Sequence, residues 1–284
     1  MPELPEVETT RRGIAPNALG QVIASVEIFD GRLRWPVPPS LPETLLGRKL
    51  TRLDRRSKYL LFRYEQPACQ RESDQPGTLL VHLGMTGSLR WHSGAAPIPA
   101  RRTHDHVDIR FGNGATLRYH DPRRFGAILW VPDPLEIHPL LADLGPEPFA
   151  PDFNAQSLHR TLLRRTAAIK LALMDNHVVV GVGNIYANEA LFRAGIRPTR
   201  GAHRVSRQRL ARLVDAVRTT LSEAIAKGGS TLRDYVDSSG EPGYFQLNYN
   251  VYGRGGLPCR VCGSTLRETR LGGRATTWCP RCQT

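Results

Sequence analysis

The stretch CRVCGSTLRETRLGGRATTWCPRC, residues 259–282, admits few readings. Cys259-x-x-Cys262 and Cys279-x-x-Cys282 are separated by 16 residues, a spacing that suits a four-cysteine zinc site. Each pair makes a tight knuckle. Four thiolates satisfy tetrahedral Zn²⁺ and leave no open position, so the expected metal is one structural zinc. Two disulfides are the alternative, and nothing in the chain suggests the export they require. Between the knuckles, residues 264–270 and 274–278 can pair as strands around Leu271-Gly272-Gly273. Arg274 then stands just past the turn of a stiff hairpin, where it is either plainly solvated or delivered into a site. Cys69 is left over in a loop and reads as a free thiol.

Upstream, the first half of the chain reads as strands and the second as helices, which gives an α+β fold class. Val107, Ile109 and Phe111 alternate, Asn113-Gly114 supplies a hairpin turn, and residues 116–119 resume the extended pattern. Similar runs occur at 22–28, 50–53, 59–64, 79–83 and 127–131. One helix precedes them, with Leu4, Val7, Arg11 and Ile14 on one face and an end near Pro16. Prolines 132, 134, 139, 146, 148 and 151 mark a linker. Beyond it, Leu210, Leu213, Val214, Val217, Leu221 and Ile225 give a strong helical period that Gly228-Gly229 ends. Arg207, Arg209, Arg212 and Arg218 fall on its other faces. The expected division is 1–133, a linker at 134–151, a helical segment at 152–240 and a zinc finger at 241–284. Residues 66–77 and 93–103 look like polar surface loops.

The net charge is +13 over 284 residues and is unevenly placed. Residues 1–150 hold 19 Lys/Arg against 17 Asp/Glu, whereas residues 151–284 hold 20 against 9. Such a basic half reads as a grip on a polyanion, nucleic acid above all. Only Lys49, Lys58, Lys170 and Lys227 interrupt the use of arginine, a weak hint that a deprotonatable amine is wanted at one of them. The acidic start has neither part of a signal peptide, and no apolar run nears the roughly 20 residues of a membrane span. A cytoplasmic location is expected.

The chain opens Met1-Pro2-Glu3-Leu4-Pro5-Glu6. Removal of Met1 exposes the secondary amine of Pro2. An α-amino group titrates near pH 8, about two units below lysine, so a useful fraction is free to attack a carbon electrophile. Proline forms an iminium, an electron sink that eases later eliminations. The plainer reading is a helix start whose carboxylates complement the macrodipole.

Two loops carry DNA-handling chemistry. His82-Leu83-Gly84-Met85-Thr86-Gly87 sets a flexible apolar side chain between glycines. Asp121-Pro122-Arg123-Arg124-Phe125-Gly126 sets two cations beside an aromatic ring. Such side chains wedge between bases or hold phosphates, although turn glycines and a core phenylalanine explain them too. Val180-Gly181-Val182-Gly183-Asn184 leads into a helix at 185–194, where Asn184 caps the helix, presents an anion site, or does both. His104-Asp105-His106-Val107-Asp108 alternates as strand residues do and is a poor metal cluster.

Taken in order, PELPEVETTRR, HLGMTG, HDHVD, DPRRFG, MDN…VVGVGNIYANEALF, GYFQ and the zinc hairpin resemble the formamidopyrimidine-DNA glycosylases nearly end to end. That resemblance implies an N-terminal β-sandwich with a leading helix, a helix–two-turn–helix DNA-binding segment and a zinc finger. It implies a monomer that removes oxidised purines from double-stranded DNA and then cuts the abasic strand. Pro2 is the implied nucleophile, Glu3 the acid, Glu6 an orienting group, Lys58 the β-elimination lysine and Arg274 the δ-elimination arginine. Met85, Arg123 and Phe125 match void-filling residues, and His104, Arg124, Arg165, Lys170 and Asn184 match phosphate-holding positions. Arg233 departs from the lysine of some relatives, which loosens any inference about base preference. An endonuclease VIII-like enzyme for oxidised pyrimidines is the rival within the same chemistry. Leu4 and the intact HLGMTG and DPRRFG segments favour the purine branch. A non-catalytic zinc-containing DNA-binding protein leaves Pro2, Glu3 and Lys58 without a shared purpose.

Overall fold

The computed structural model describes residues 2–65, 76–229 and 249–284. Cys69, most of the first polar loop, Arg233 and the GYFQ motif lie outside the described residues. The elements are, in order, α1 (Leu4–Ala18), β1 (Ile23–Ile28), α2 (Leu41–Leu45), β2 (Lys49–Arg56), β3 (Tyr59–Glu65), β4 (Gly77–His82), β5 (Ser88–His92), β6 (Asp105–Phe111), β7 (Thr116–His120) and β8 (Ala127–Pro132). They continue with α3 (Ala155–Leu162), α4 (Ile169–Leu173), α5 (Asn184–Arg193), α6 (Arg207–Ala226), β9 (Arg267–Leu271) and β10 (Arg274–Trp278). The chain divides into two compact units, Met1–Ala142 with Gly228–Gly243 and Asp143–Lys227 with Tyr244–Thr284.

The first unit is a sandwich of two antiparallel four-stranded sheets, ordered β1-β6-β7-β5 and β2-β3-β4-β8. Both sheets feed one core: Ile23, Val107, Ile109, Phe111 and Leu117 from one, Leu50, Leu60, Phe62, Leu79, Val81 and Ile128 from the other. The alternating apolar positions read from the sequence are those that turn inward. β6 is buried on its other face as well. There Arg118 on β7 takes both carboxylate oxygens of Asp108 at 2.7 and 2.8 Å and donates to the carbonyl of Pro99 at 2.8 Å. The HDHVD carboxylates are therefore consumed inside the sheet, Asp105 also accepting from the Arg102 N–H and bonding the His120 ring at 2.8 Å. The loop that holds Pro99 and Arg102 is pinned by these bonds and by Arg101, stacked 4.7 Å over Phe29.

Helix α1 runs past the expected end at Pro16 to Ala18. A proline in the last turn forfeits one intrahelical bond, and the Leu19 N–H closes the helix on the Ala15 carbonyl behind it. Val7 and Ile14 enter the sandwich core. Glu8 faces β2 and accepts from Arg11, Arg12 and, across the interface, Arg55. Arg11 also reaches the Leu53 carbonyl at 3.2 Å. These bonds fasten α1 to β2.

In the second unit, α3 is capped by Asn154 in a reciprocal box with Ser157, and α6 by Ser206. Arg218 of α6 is not a solvated decoration. It donates to the carbonyls of Pro148, Ala150 and Phe153 just before α3, which satisfies backbone groups that a turn cannot. Lys227 caps α6 and Gly228 and Gly229 follow with positive φ, as the glycine pair requires. No helix among the described residues is long and apolar enough to cross a membrane.

Burial raises the Glu8 carboxyl, but the hydrogen bonds of Arg11 and Arg12 and the charges of Arg11 and Arg55 outweigh it and hold the group at about 2. A carboxyl depressed by folding contributes stability above its unfolded value and loses it as pH falls toward the folded one. Glu8→Gln is expected to cost about 1–3 kcal/mol at pH 7. Urea unfolding followed from pH 7 to 2 should show a shallower acid slope in the variant between about pH 4.5 and 2.

Candidate active site

The N-terminal cluster lies wholly in the first unit. Pro2, Glu3 and Glu6 are buried. Glu3 precedes the first turn of α1, and its N–H donates to Glu6 Oε2 at 2.8 Å. Gly229, at φ +82°, passes so close that a Cβ there would stand 3.1 Å from Glu6 Oε1. The Glu3-x-x-Glu6 spacing thus serves the helix and, in the same stroke, orients the second residue. Lys58 is buried in the two-residue turn between β2 and β3, where Ser57 takes a positive φ. Arg55 joins this turn to α1: it donates to the Ser57 carbonyl at 2.9 Å while pairing with Glu8 at 3.3 Å. Sequence reading missed Arg55. Its only signal was a cation opposite a helix acid, which spacing along the chain cannot reveal.

The HLGMTG and DPRRFG loops meet on one carboxylate. Buried Asp121 accepts from Thr86 Oγ1 at 2.6 Å, from the N–H groups of Arg123 and Gly126 at 3.3 and 2.9 Å, and from the Tyr119 hydroxyl at 3.3 Å. Its own N–H donates to the His104 carbonyl at 3.0 Å, so His104 borders the same loop. The glycines are required by crowding. A Cβ on Gly84 would lie 2.5 Å from the backbone of Phe125 and Gly126, and one on Gly126 would lie 1.7 Å from the Tyr119 oxygen. Around this junction Met85 and Phe125 remain 37 % and 41 % exposed, high for large apolar side chains on a braced loop. Arg123 lies 4.8 Å over the Phe125 ring. Arg124 is partly spent, pairing with Asp30 at 2.8 Å.

Beneath Phe125 a cavity of about 200 Å³ is lined by Arg34, Trp35, Tyr59 and His82 among others. Burial, and then the charges of Lys58 and Arg34, push the His82 ring down to about 4. His82 is therefore neutral at pH 7, consistent with its Nδ1 accepting from the Gly84 N–H at 3.1 Å.

In the second unit, Gly183 is the cap of α5 and Asn184 its first helical residue, which corrects the reading of Asn184 as the cap. The buried Oδ1 of Asn184 has no hydrogen-bond partner among the described residues. Arg165 pairs with Asp175. Lys170, expected at a phosphate, is engaged within the protein. It is fully buried in α4, and its ammonium donates to the Ala275 carbonyl at 2.9 Å and Thr276 Oγ1 at 2.7 Å on β10.

Those bonds brace the zinc hairpin. β9 and β10 pair with Arg274 opposite Leu271, leaving Gly272-Gly273 as a two-residue turn with positive φ at both. The turn rests against Leu171 of α4, and Arg274 is exposed beside it. At the other end, buried Glu189 of α5 accepts from the N–H groups of Asn250, Val251 and Tyr252 and from Asn250 Nδ2, all between 2.8 and 3.1 Å. Asn188 takes the Thr277 N–H at 3.0 Å.

The sulfurs of Cys259, Cys262, Cys279 and Cys282 lie within 4.8 Å of one another and form no disulfide. Cys262 and Cys279 are 3.4 Å apart and Cys259 and Cys282 4.0 Å. A tetrahedron with Zn–S bonds of about 2.3 Å has edges near 3.8 Å, which these distances straddle. Cys282 N–H donates to Cys279 Sγ at 3.3 Å, a bond that favours thiolate. The donor set fits one structural Zn²⁺.

A helix-led β-sandwich, a helical segment and a four-cysteine hairpin are together the architecture of a DNA glycosylase. Residues 1–128 match the formamidopyrimidine-DNA glycosylase N-terminal domain, residues 144–236 its H2TH domain, and residues 256–284 the zinc finger found in FPG and IleRS. The chain is 54 % identical over 283 residues to the formamidopyrimidine-DNA glycosylase of Methylococcus capsulatus, covering 100 % of both. It is 32 % identical to a Lactococcus lactis FPG variant solved with Fapy-dG-containing DNA, at a TM-score of 0.87 over 100 % of each chain. It is 32 % identical to Lactococcus lactis Fpg solved with abasic-site DNA, at a TM-score of 0.85 over 99 % of each. The chain belongs to the formamidopyrimidine-DNA glycosylase family.

Elemental analysis of purified protein should find one zinc per chain. Cys279→Ser should lower that occupancy and, because metal binding is coupled to folding, expose the hairpin to proteolysis; full occupancy in the variant would refute the four-cysteine assignment.

Proposed function

We propose that the protein is a base-excision-repair DNA glycosylase and abasic-site lyase that removes 8-oxoguanine and formamidopyrimidines from duplex DNA. The observation that carries this reading is the braced start of α1: Pro2 and Glu3 are buried and the Glu3 N–H is held by Glu6 in a chain of this family. The target base cannot react inside the stack and is extruded, at a cost of a few kcal/mol. Met85, Arg123 and Phe125 fill the space it leaves and offset that cost. His104, Arg124, Arg165 and Asn184 hold phosphates, Arg124 and Arg165 by exchanging their carboxylate partners for the backbone.

With Met1 removed, the Pro2 nitrogen lone pair attacks C1′ of the damaged nucleotide. Glu3 protonates the sugar ring oxygen, and Glu6 orients the local network. The bond from C1′ to the base breaks, the base departs with the bonding pair, and the opened sugar remains as an iminium on Pro2. Withdrawal of a C2′ proton, assigned to Lys58, expels the 3′ phosphate by β-elimination. A second elimination expels the 5′ phosphate and leaves a gap. Arg274 serves this last step by holding the phosphate, because a guanidinium remains protonated at neutral pH. Zinc supplies no chemistry beyond the rigid hairpin that Cys259, Cys262, Cys279 and Cys282 close around it.

The same proposal assigns residues 1–133 to the catalytic sandwich, 134–151 to the linker, 152–240 to the helix–two-turn–helix segment and 241–284 to the zinc finger. The separate family matches over 1–128, 144–236 and 256–284 support it. A cytoplasmic location suits an enzyme whose substrate is chromosomal DNA.

Intact mass should show the loss of Met1. Borohydride in the presence of 8-oxoguanine:cytosine duplex should trap a covalent complex that Pro2→Gly abolishes or greatly weakens. Undiminished trapping would assign the amine to another residue. Glu3→Gln should slow single-turnover excision by about 10²–10⁴-fold. Excision of thymine glycol alone, with 8-oxoguanine untouched, would move the protein to the pyrimidine branch.

A further inference from the structure

The second unit carries a basic concavity that the proposed chemistry does not use. Arg197, Thr199, Arg200, Arg204, Gln283 and Thr284 line an open cavity of about 710 Å³. It lies between the loop that follows α5 and the last knuckle of the zinc hairpin. The loop is fixed from three sides. Ile169 N–H donates to the Arg200 carbonyl at 2.7 Å, Ala202 N–H to the Ala167 carbonyl at 2.8 Å, and Gln283 Nε2 to the Ile196 carbonyl at 2.9 Å.

Its arginines differ from those elsewhere. Arg118, Arg165 and Arg193 each hold a carboxylate. Arg197, Arg200 and Arg204 have no carboxylate side-chain partner among the described residues. Arg197 lies 5.6 Å over the Trp278 ring and is exposed. Arg200 and Arg204 donate only to a carbonyl at 3.5 Å and to a histidine ring at 3.3 Å. Neighbouring Arg209 turns to the Gly195 carbonyl and to the backbone and hydroxyl oxygens of Thr284. Burial, and then the charges of Arg200 and Arg212, lower its pKa. Three cations held on a rigid frame around an open hollow are arranged for an external anion. In the half of the chain with 20 basic and 9 acidic residues, the anion of matching multiplicity is a nucleic-acid backbone.

We propose that Arg197, Arg200 and Arg204 form a second phosphodiester-binding site, which engages duplex DNA outside the contacts made around the lesion. The inference rests on the reading of the protein as a DNA enzyme. Its readout is chosen to be separate: affinity for undamaged DNA, not excision.

The test compares the full-length zinc-loaded protein with R197Q/R200Q/R204Q on a 60-base-pair undamaged duplex across a salt series. Each released phosphate contact changes the slope of log affinity against log salt by about 0.9. The variant should therefore lose about 2 to 3 from the slope and at least about tenfold in affinity at 50 mM salt. Single-turnover excision from a short 8-oxoguanine duplex at saturating enzyme should stay within about twofold of the parent. Absent excision in both proteins would instead sink the functional reading and leave the slope interpretable. R197K/R200K/R204K should restore most of the slope, since counterion release needs charge rather than a planar fork. Failure of lysine to restore it would make the glutamine effect structural and overturn the site.

An unchanged slope overturns it as well, and so does an equal change in R32Q/R52Q/R110Q, which removes three charges already paired with carboxylates. Loss of affinity for the short lesion duplex to the same degree would merge these arginines with the lesion contacts and refute a separate site. Adding labelled 60-base-pair duplex to a complex preformed on the short lesion duplex distinguishes the two sources of phosphate. A ternary complex marks a separate duplex, and its absence with the slope change intact marks a flanking stretch of the same one.

Discussion

A residue at the start of a chain is tethered on one side only, so its position depends on whatever fixes the segment that follows. Here that is the junction of α1 with β2. Glu8 accepts three guanidinium groups, two from its own helix and one from Arg55 on the sheet. Arg55 in turn holds the turn that contains Lys58. One arginine thus couples the helix bearing Pro2 and Glu3 to the hairpin bearing the other candidate amine. The geometry proposed for the chemistry stands on that ion-paired contact more than on the apolar core. A core fixes where a helix lies, but a directional bond at each end fixes how far along its axis it sits.

The second unit solves a similar problem with buried charges. Lys170 and Glu189 are almost wholly removed from solvent, an expensive placement unless every donor and acceptor is used. Lys170 spends its ammonium on β10, and Glu189 spends both oxygens on the segment before the zinc knuckles. Both tie helices to a hairpin that is too short to fold by apolar burial alone. The survival of lysine at 170 in an arginine-rich chain now has a physical reason. A compact ammonium fits a buried pocket, with acceptors that include the Ala275 carbonyl and Thr276 Oγ1, that a planar fork would overfill.

Much of this was legible in the residues. The period-two runs, the Asn113-Gly114 turn and the Gly272-Gly273 turn specify local geometry, and the observed strands follow them. The helical period of 207–226 and its glycine stop are equally local signals. Strand β5 was missed because Ser88–His92 mixes polar and apolar positions ahead of a polar loop. α1 extended past Pro16 despite the bond that proline forfeits, the Leu19 N–H closing the helix on the Ala15 carbonyl. What could not be read were the hubs, Arg55, Asp121 and Glu189. Each joins residues 35 or more positions apart, and no spacing rule along the chain encodes such a partner. Lys170 shows the converse limit. A residue type suited to phosphate was assigned by position, while its burial depended on a strand a hundred residues away.

The Asp121 junction has a consequence for how the two loops act. Because Thr86, Arg123 and Gly126 all bond to one carboxylate, the backbone beneath Met85 and Phe125 is a single block and not two independent fingers. The freedom lost in shaping that block is surrendered once, when the chain folds, and is not charged again when a duplex is met. In the proposed reaction the loops resemble a wedge ground to its edge before use: insertion would ask the DNA to deform, while the protein advances as one piece.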